Sequence, residues 1–118
     1  MKKIIPICLL FLTLCQTQWA FAHAVITDYS LKITPIQANS PAKVELSFNS
    51  HIELGLSQIF LVSKGDKHQL LQAVTGDKQG QIIVQIPPLA AGDYALRFKV
   101  FAADGHLTED VIHFSVSN

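Results

Sequence analysis

Apolar residues recur at every second position in three separate stretches of this chain, and that period restricts the fold class more than any other feature. Val44, Leu46 and Phe48 alternate with Glu45, Ser47 and Asn49. Tyr94, Leu96, Phe98 and Val100 alternate with Ala95, Arg97 and Lys99, and Ile112, Phe114 and Val116 alternate with Val111, His113 and Ser115. Successive side chains of a strand point to opposite faces, so each stretch buries one face and wets the other. Shorter β-rich runs lie at Val25 to Ile33, Ile59 to Val62, Leu70 to Val74 and Ile82 to Ile86. Turn signals separate them: Asn39-Ser40-Pro41, Lys64-Gly65-Asp66, Gly76-Asp77, Pro87-Pro88, Ala91-Gly92-Asp93 and Asp104-Gly105. Only His51 to Ser57 leaves room for a short helical turn. The pattern predicts an all-β fold, a small antiparallel Greek-key β-sandwich or barrel of about seven strands. There is no internal repeat, low-complexity segment or linker.

The first residues read differently. Lys2 and Lys3 are followed by an apolar stretch from Ile4 to Leu14, then by a more polar segment ending in Ala20-Phe21-Ala22. That order is a secretory signal, with small residues three and one places before a cut after Ala22. An uncleaved anchor is the alternative, but a membrane span needs roughly 20 apolar residues. A lipoprotein cut before Cys15 would want a small residue where Leu14 stands. Residues 1–22 are therefore expected to be a signal peptide, and 23–118 a single domain exported to a periplasm-type compartment.

Removal of that signal changes the chemistry available. Cys8, Cys15, Met1 and Trp19 all lie within it, so the remainder holds no cysteine, methionine or tryptophan. All nine acidic residues fall after residue 22, whereas Lys2 and Lys3 fall before it, which leaves a slight acidic excess. With no basic cluster, nucleic-acid binding is not expected. A domain of about 100 residues can build a sufficient core without disulfides.

The cut would leave His23 as the new first residue. An α-amino group has a pKa of about 8 and yields its proton readily to a metal. The amine and the same residue's imidazole Nδ1 can close a chelate ring on one ion, and Cu(II) favours such nitrogen donors in a tetragonal plane. One further imidazole would complete a histidine brace. Ala103-Asp104-Gly105-His106 offers one. Asp104 and His106 stand two apart, which in extended backbone places them on one side, and Gly105 permits a tight turn. The same residues also read as an ordinary Asp-Gly hairpin turn.

These features together resemble the CopC family of copper-resistance proteins, over nearly the whole of residues 23–118. The resemblance rests on four pieces in order: His23 after the signal; Ser40-Pro41-Ala42-Lys43-Val44-Glu45-Leu46-Ser47-Phe48; Leu89-Ala90-Ala91-Gly92-Asp93-Tyr94; and Ala102-Ala103-Asp104-Gly105-His106 ahead of a last strand ending in Phe114-Ser115-Val116. It implies a cupredoxin-like sandwich, related to the immunoglobulin type, with one Cu(II) held by the N-terminal amine and imidazole of His23 with Asp104 and His106. It also implies a non-enzymatic carrier or buffer in copper resistance or uptake, exchanging metal with an inner-membrane copper transporter. Three departures stand out. The methionine-rich Cu(I) loop of some members is missing, Asn49-Ser50-His51 replaces a glutamate found near copper in some members, and Leu107-Thr108 follows His106 where many have proline.

Amine, imidazole and carboxylate are hard donors suited to Cu(II), whereas Cu(I) prefers thiolate and thioether. A Cu(II)-only site is therefore expected, and a blue-copper centre would need a cysteine. Two rivals remain: a histidine-brace copper oxygenase, and a metal-free Ig-like interaction module. Against the oxygenase, Tyr29 and Tyr94 are the only aromatic rings besides phenylalanines after residue 22, too few for a flat sugar-stacking face. His51 is expected in an exposed loop, next to the position of that missing glutamate, His68 in an exposed hairpin and His113 on the outward phase of the last strand. Glu109 and Asp110 are expected to be solvated charges.

Overall fold

A computed structural model describes residues 24–32 and 34–118. Their strands are β1 (Ile26–Tyr29), β2 (Ile36–Gln37), β3 (Ala42–Phe48), β4 (Gln58–Ser63), β5 (Lys67–Leu70), β6 (Ala73–Thr75), β7 (Gln81–Ile86), β8 (Gly92–Phe101) and β9 (Leu107–Ser117). They form two sheets. One has the order β1-β3-β7-β6, and the other β2-β9-β8-β4-β5.

The three alternating stretches become β3, β8 and β9, and their inward residues form the core. Val44 and Leu46 from β3, Val84 from β7, and Leu96, Phe98 and Val100 from β8 are fully buried. The Phe48 ring meets Phe98 edge-on across the two sheets, with centroids 5.6 Å apart and planes at 80°. At about 25 cal/mol per Å² of apolar surface, this shared layer is the main force holding one sheet on the other. Among the described residues no polar or charged residue is fully buried. No described helix is long and apolar enough to cross a membrane.

Three local expectations need correction. The run from Val25 to Ile33 is not one strand: β1 ends at Tyr29 and a 3₁₀ turn covers Ser30–Lys32. The Ser30 hydroxyl accepts the Glu45 amide (3.0 Å), so a side chain takes over where the ladder stops. The run from Leu70 to Val74 is split between the sheets. Leu71 donates its amide to Ile59 of β4 (2.8 Å), while Gln72 accepts from Gln85 of β7 (2.9 Å). The buried Leu71 side chain sits at that crossing. The sandwich is also not wholly antiparallel, because β2 pairs in parallel with the end of β9, Ile36 opposite Val116 and Gln37 opposite Ser117.

Beyond that short contact, among the described residues no strand pairs with the outer side of β9 from Leu107 to Ser115. The Val111 amide donates to its neighbour Asp110 Oδ1 (2.8 Å). The helical turn expected after His51 is the 3₁₀ segment Leu54–Leu56.

Gly80 shows how closely the chain packs near the end of β3. Its φ is +80°, and its carbonyl accepts the Phe48 amide at 2.8 Å. A Cβ there would run into the backbone oxygens of Phe48 and Ser50. Gly80→Ala should therefore destabilise the fold by at least about 2 kcal/mol, since left-handed backbone alone costs roughly 1–2 kcal/mol outside glycine. Urea unfolding would measure this, and a loss under about 0.5 kcal/mol, the usual size of a surface substitution, would show the site to be open.

Candidate metal centre

The β8–β9 hairpin carries the clearest chemistry. Its last ladder pair is Phe101 with Leu107. The Gly105 amide donates to the Ala102 carbonyl (2.9 Å), and the Ala102 amide donates to the His106 carbonyl (3.0 Å). With Gly105 at φ +87°, this is the pattern of a three-residue loop closed by a left-handed glycine. The turn reading of Asp104-Gly105 is thus correct, and it does not exclude the metal reading.

Asp104 and His106 do come together, though not through extended backbone. Asp104 Oδ1 accepts the His106 amide (3.0 Å) and Oδ2 lies 2.9 Å from His106 Nδ1. The carboxylate folds back over the loop and grips both the main chain and the ring of the residue two ahead, as Asp does in tight turns. An ionised carboxylate only accepts, so this contact requires a proton on Nδ1. A neutral His106 ring then presents its lone pair at Nε2. In the metal-free protein this carboxylate fixes the ring's orientation, and it must leave Nδ1 before it can share an ion with the Nε2 lone pair. The His106 side chain is 58% exposed and that of Asp104 33%, so an ion can reach them from solvent.

The segments flanking this loop are tied to it. The Ala103 amide donates to the His51 carbonyl (3.2 Å), the Glu53 amide to the Phe101 carbonyl (2.8 Å), and Ile52 forms an isolated antiparallel bridge with Ala102. Two residues before His51, Asn49 meets Val25 twice. Its side-chain Oδ1 accepts the Val25 amide (2.8 Å), and its own amide donates to the Val25 carbonyl (3.0 Å). Ala24 is wholly buried. The chain leading from residue 23 is therefore anchored to the 49–52 loop, which is anchored in turn to the Asp104–His106 hairpin.

The third predicted ligand residue, His23, lies outside the described residues. Among the described residues no group of three or more His, Cys, Asp or Glu side chains converges as a metal site. Asp104 and His106 alone supply a carboxylate and an imidazole, a set that fits Cu(II) in kind and leaves further positions to be filled.

The other histidines are dispersed. His51 is exposed, with Nε2 3.6 Å from Glu53 Oε1. At about half exposure for both groups, such a pair contributes little. His68 is exposed on β5 with Nε2 2.9 Å from Asp66 Oδ1 and its ring beside Phe60. His113 is exposed on β9 as expected. Glu109 is solvated but faces Arg97 and Lys99, each at 3.9 Å. The alternation that located β3 could not single out Asn49, because its partner Val25 lies 24 residues away, just ahead of β1.

The CopC domain matches residues 30–117. The chain belongs to the CopC family. Its structure is similar to that of CopC from Methylosinus trichosporium OB3b, at 30% identity and a TM-score of 0.70, over 80% of this chain and 94% of that one. It is also similar to PcoC, a methionine-rich copper resistance protein of Escherichia coli, at 20% identity and a TM-score of 0.60, over 80% of this chain and 99% of that one. A superoxide reductase (neelaredoxin) from Ignicoccus hospitalis shares the fold alone, at 14% identity and a TM-score of 0.54, over 85% of this chain and 84% of that one. No curated protein matches the chain. Unlike PcoC, described as methionine rich, this CopC-family chain has one methionine, Met1.

Proposed function

We propose that this chain is an exported Cu(II)-binding protein whose site is completed by its own amino terminus. Cleavage after Ala22 frees the α-amine of His23, and that amine, the His23 imidazole, His106 and Asp104 hold one Cu(II). The observation that carries this reading is the Asp104–His106 contact at 2.9 Å on a hairpin linked by backbone hydrogen bonds to the segment that leads to residue 23.

Bound copper would supply no reaction here. The residues would hold and release it as cargo, in a carrier or buffer of the periplasm that exchanges Cu(II) with an inner-membrane transporter. Cu(I) has little to bind, since no thiol or thioether follows residue 22. An oxygenase acting on sugars is disfavoured by the position of Tyr94. It lies on β8 about 23 Å of extended strand from Phe101, stacked on Phe114 with its hydroxyl bound to the Ala90 carbonyl (2.8 Å).

Intact mass of the exported protein should show His23 as its first residue. Titration should then give one Cu(II) per chain with a tetragonal, nitrogen-rich paramagnetic resonance spectrum. His106→Ala should lower Cu(II) affinity by at least about 100-fold, given that loss of an outer-shell partner alone costs roughly 10–100-fold. Binding should weaken as pH falls, because protons compete for the same lone pairs. A mature chain that retains Ala22, or a His106→Ala variant that binds as tightly as its parent, would sink the reading.

A further inference from the structure

We propose that Asn49 is a positioning residue for the copper site: its side-chain amide docks the amino-terminal arm onto the loop that carries the Asp104–His106 hairpin. The inference rests on the copper reading above and deepens it. A metal site shared between a chain end and a distant hairpin faces a particular entropic difficulty, because terminal residues fray unless something ties them down. The ties here are few. Ala24 is buried, but Val25 is 51% exposed, so packing contributes little to holding it. What fixes Val25 is a two-way hydrogen-bonded pair with Asn49, through the Asn49 side chain (2.8 Å) and the Asn49 amide (3.0 Å).

Asn49 stands just past the end of β3, on the strand's exposed phase. From there the same loop reaches the hairpin, through the His51 carbonyl and the Ile52–Ala102 bridge. One short loop thus spans the two parts of the site, and among the described residues the Asn49 carboxamide gives it a side-chain hydrogen bond to the arm. Its oxygen presents a neutral acceptor to a main-chain N–H two residues from the expected donor.

The consequence is quantitative. If copper requires the docked arm, the apparent affinity is the intrinsic affinity multiplied by the fraction of molecules with the arm docked. Losing one hydrogen bond of ordinary net strength should raise arm opening by about fivefold to tenfold. Copper affinity should follow as far as the arm becomes undocked, with no ligand removed and the spectrum of the bound state unchanged. Asn49→Asp keeps an acceptor oxygen for the Val25 amide and should retain most of the docking, whereas Asn49→Ala loses it.

The experiment compares processed parent, Asn49→Ala and Asn49→Asp. Hydrogen exchange of the Val25 amide is followed by NMR in the metal-free proteins, and Cu(II) affinity by competition with a chromophoric chelator. In Asn49→Ala, Val25 protection should fall about fivefold to tenfold while Leu46 and Phe98 amides keep theirs. Cu(II) affinity should fall by the ratio of docked fractions that the two Val25 protection values give, and Asn49→Asp should restore both. The proposal is overturned if Cu(II) affinity departs by more than twofold from that ratio of docked fractions. It is equally overturned if protection is lost throughout the core, or if Asn49→Asp behaves as Asn49→Ala. If the parent itself binds no Cu(II), the copper reading fails and the proposal fails with it. A tight-binding parent whose Asn49→Ala variant departs from that ratio removes the proposal alone.

Discussion

One residue added ahead of His23 should lower Cu(II) affinity by at least about 100-fold, more than loss of an outer-shell partner would cost. The extension turns the α-amine into an amide, whose nitrogen lone pair is delocalised into the carbonyl and is no donor at neutral pH. The five-atom arrangement that lets amine and imidazole close on one ion is lost in the same step, so two donors are affected by one covalent change. Stability should not change, because the buried Ala24 and the Val25–Asn49 pair both lie after the added residue. Chelator competition on the extended and processed proteins, with thermal melts beside it, separates the two effects. An extended protein that binds within tenfold of the processed one would remove the amine from the site. His51, whose carbonyl already bonds the Ala103 amide, would then be the next donor to test.

Phe98→Ala should destabilise the fold by about 3–5 kcal/mol, the usual cost of truncating a buried phenylalanine. Phe98 is wholly buried in the middle of β8, pairs with Ile59 of β4 and Asp110 of β9, and places its ring edge against Phe48 of the opposite sheet. Truncation would remove the contact that joins the two sheets at that level and leave a cavity between strands held on both sides by ladders, with little freedom to collapse. Domains of this size commonly have only about 5–15 kcal/mol in total. The variant should therefore melt far below the parent and unfold at much lower urea. A loss under about 1 kcal/mol would mean that neighbouring side chains close the gap.

The strands that were legible in the sequence are those with one dry and one wet face. β3, β8 and β9 announce themselves because burial alternates along them, as in the Val44, Leu46 and Phe48 positions against Lys43, Glu45 and Ser47. Leu70 to Val74 reads as one β-rich run because composition says nothing about which sheet each residue joins. That choice depends on the Leu71 and Gln72 partners, Ile59 and Gln85. The parallel β2 was invisible for a related reason, since two residues carry no period. At the site, spacing suggested that Asp104 and His106 share a side, which is true, although the cause is a carboxylate folding onto a turn. Asn49 carried no local signal at all. Its role depends on a partner far along the chain, and a single polar residue after a strand looks like any other loop position.

The uncovered side of β9 bears on how this protein behaves when crowded. A row of unpaired backbone groups is a template on which another chain can add a strand, and the exposed Leu107 and Val111 along it would reward that addition. Asp110 works against it. Its position falls in the inward phase beside the buried Ile112, yet it remains exposed, and its carboxylate already occupies the Val111 amide. An incoming strand would have to displace that bond and strip water from a charge to gain its own. Asp110 is therefore one acidic side chain that opposes edge-to-edge aggregation along this strand.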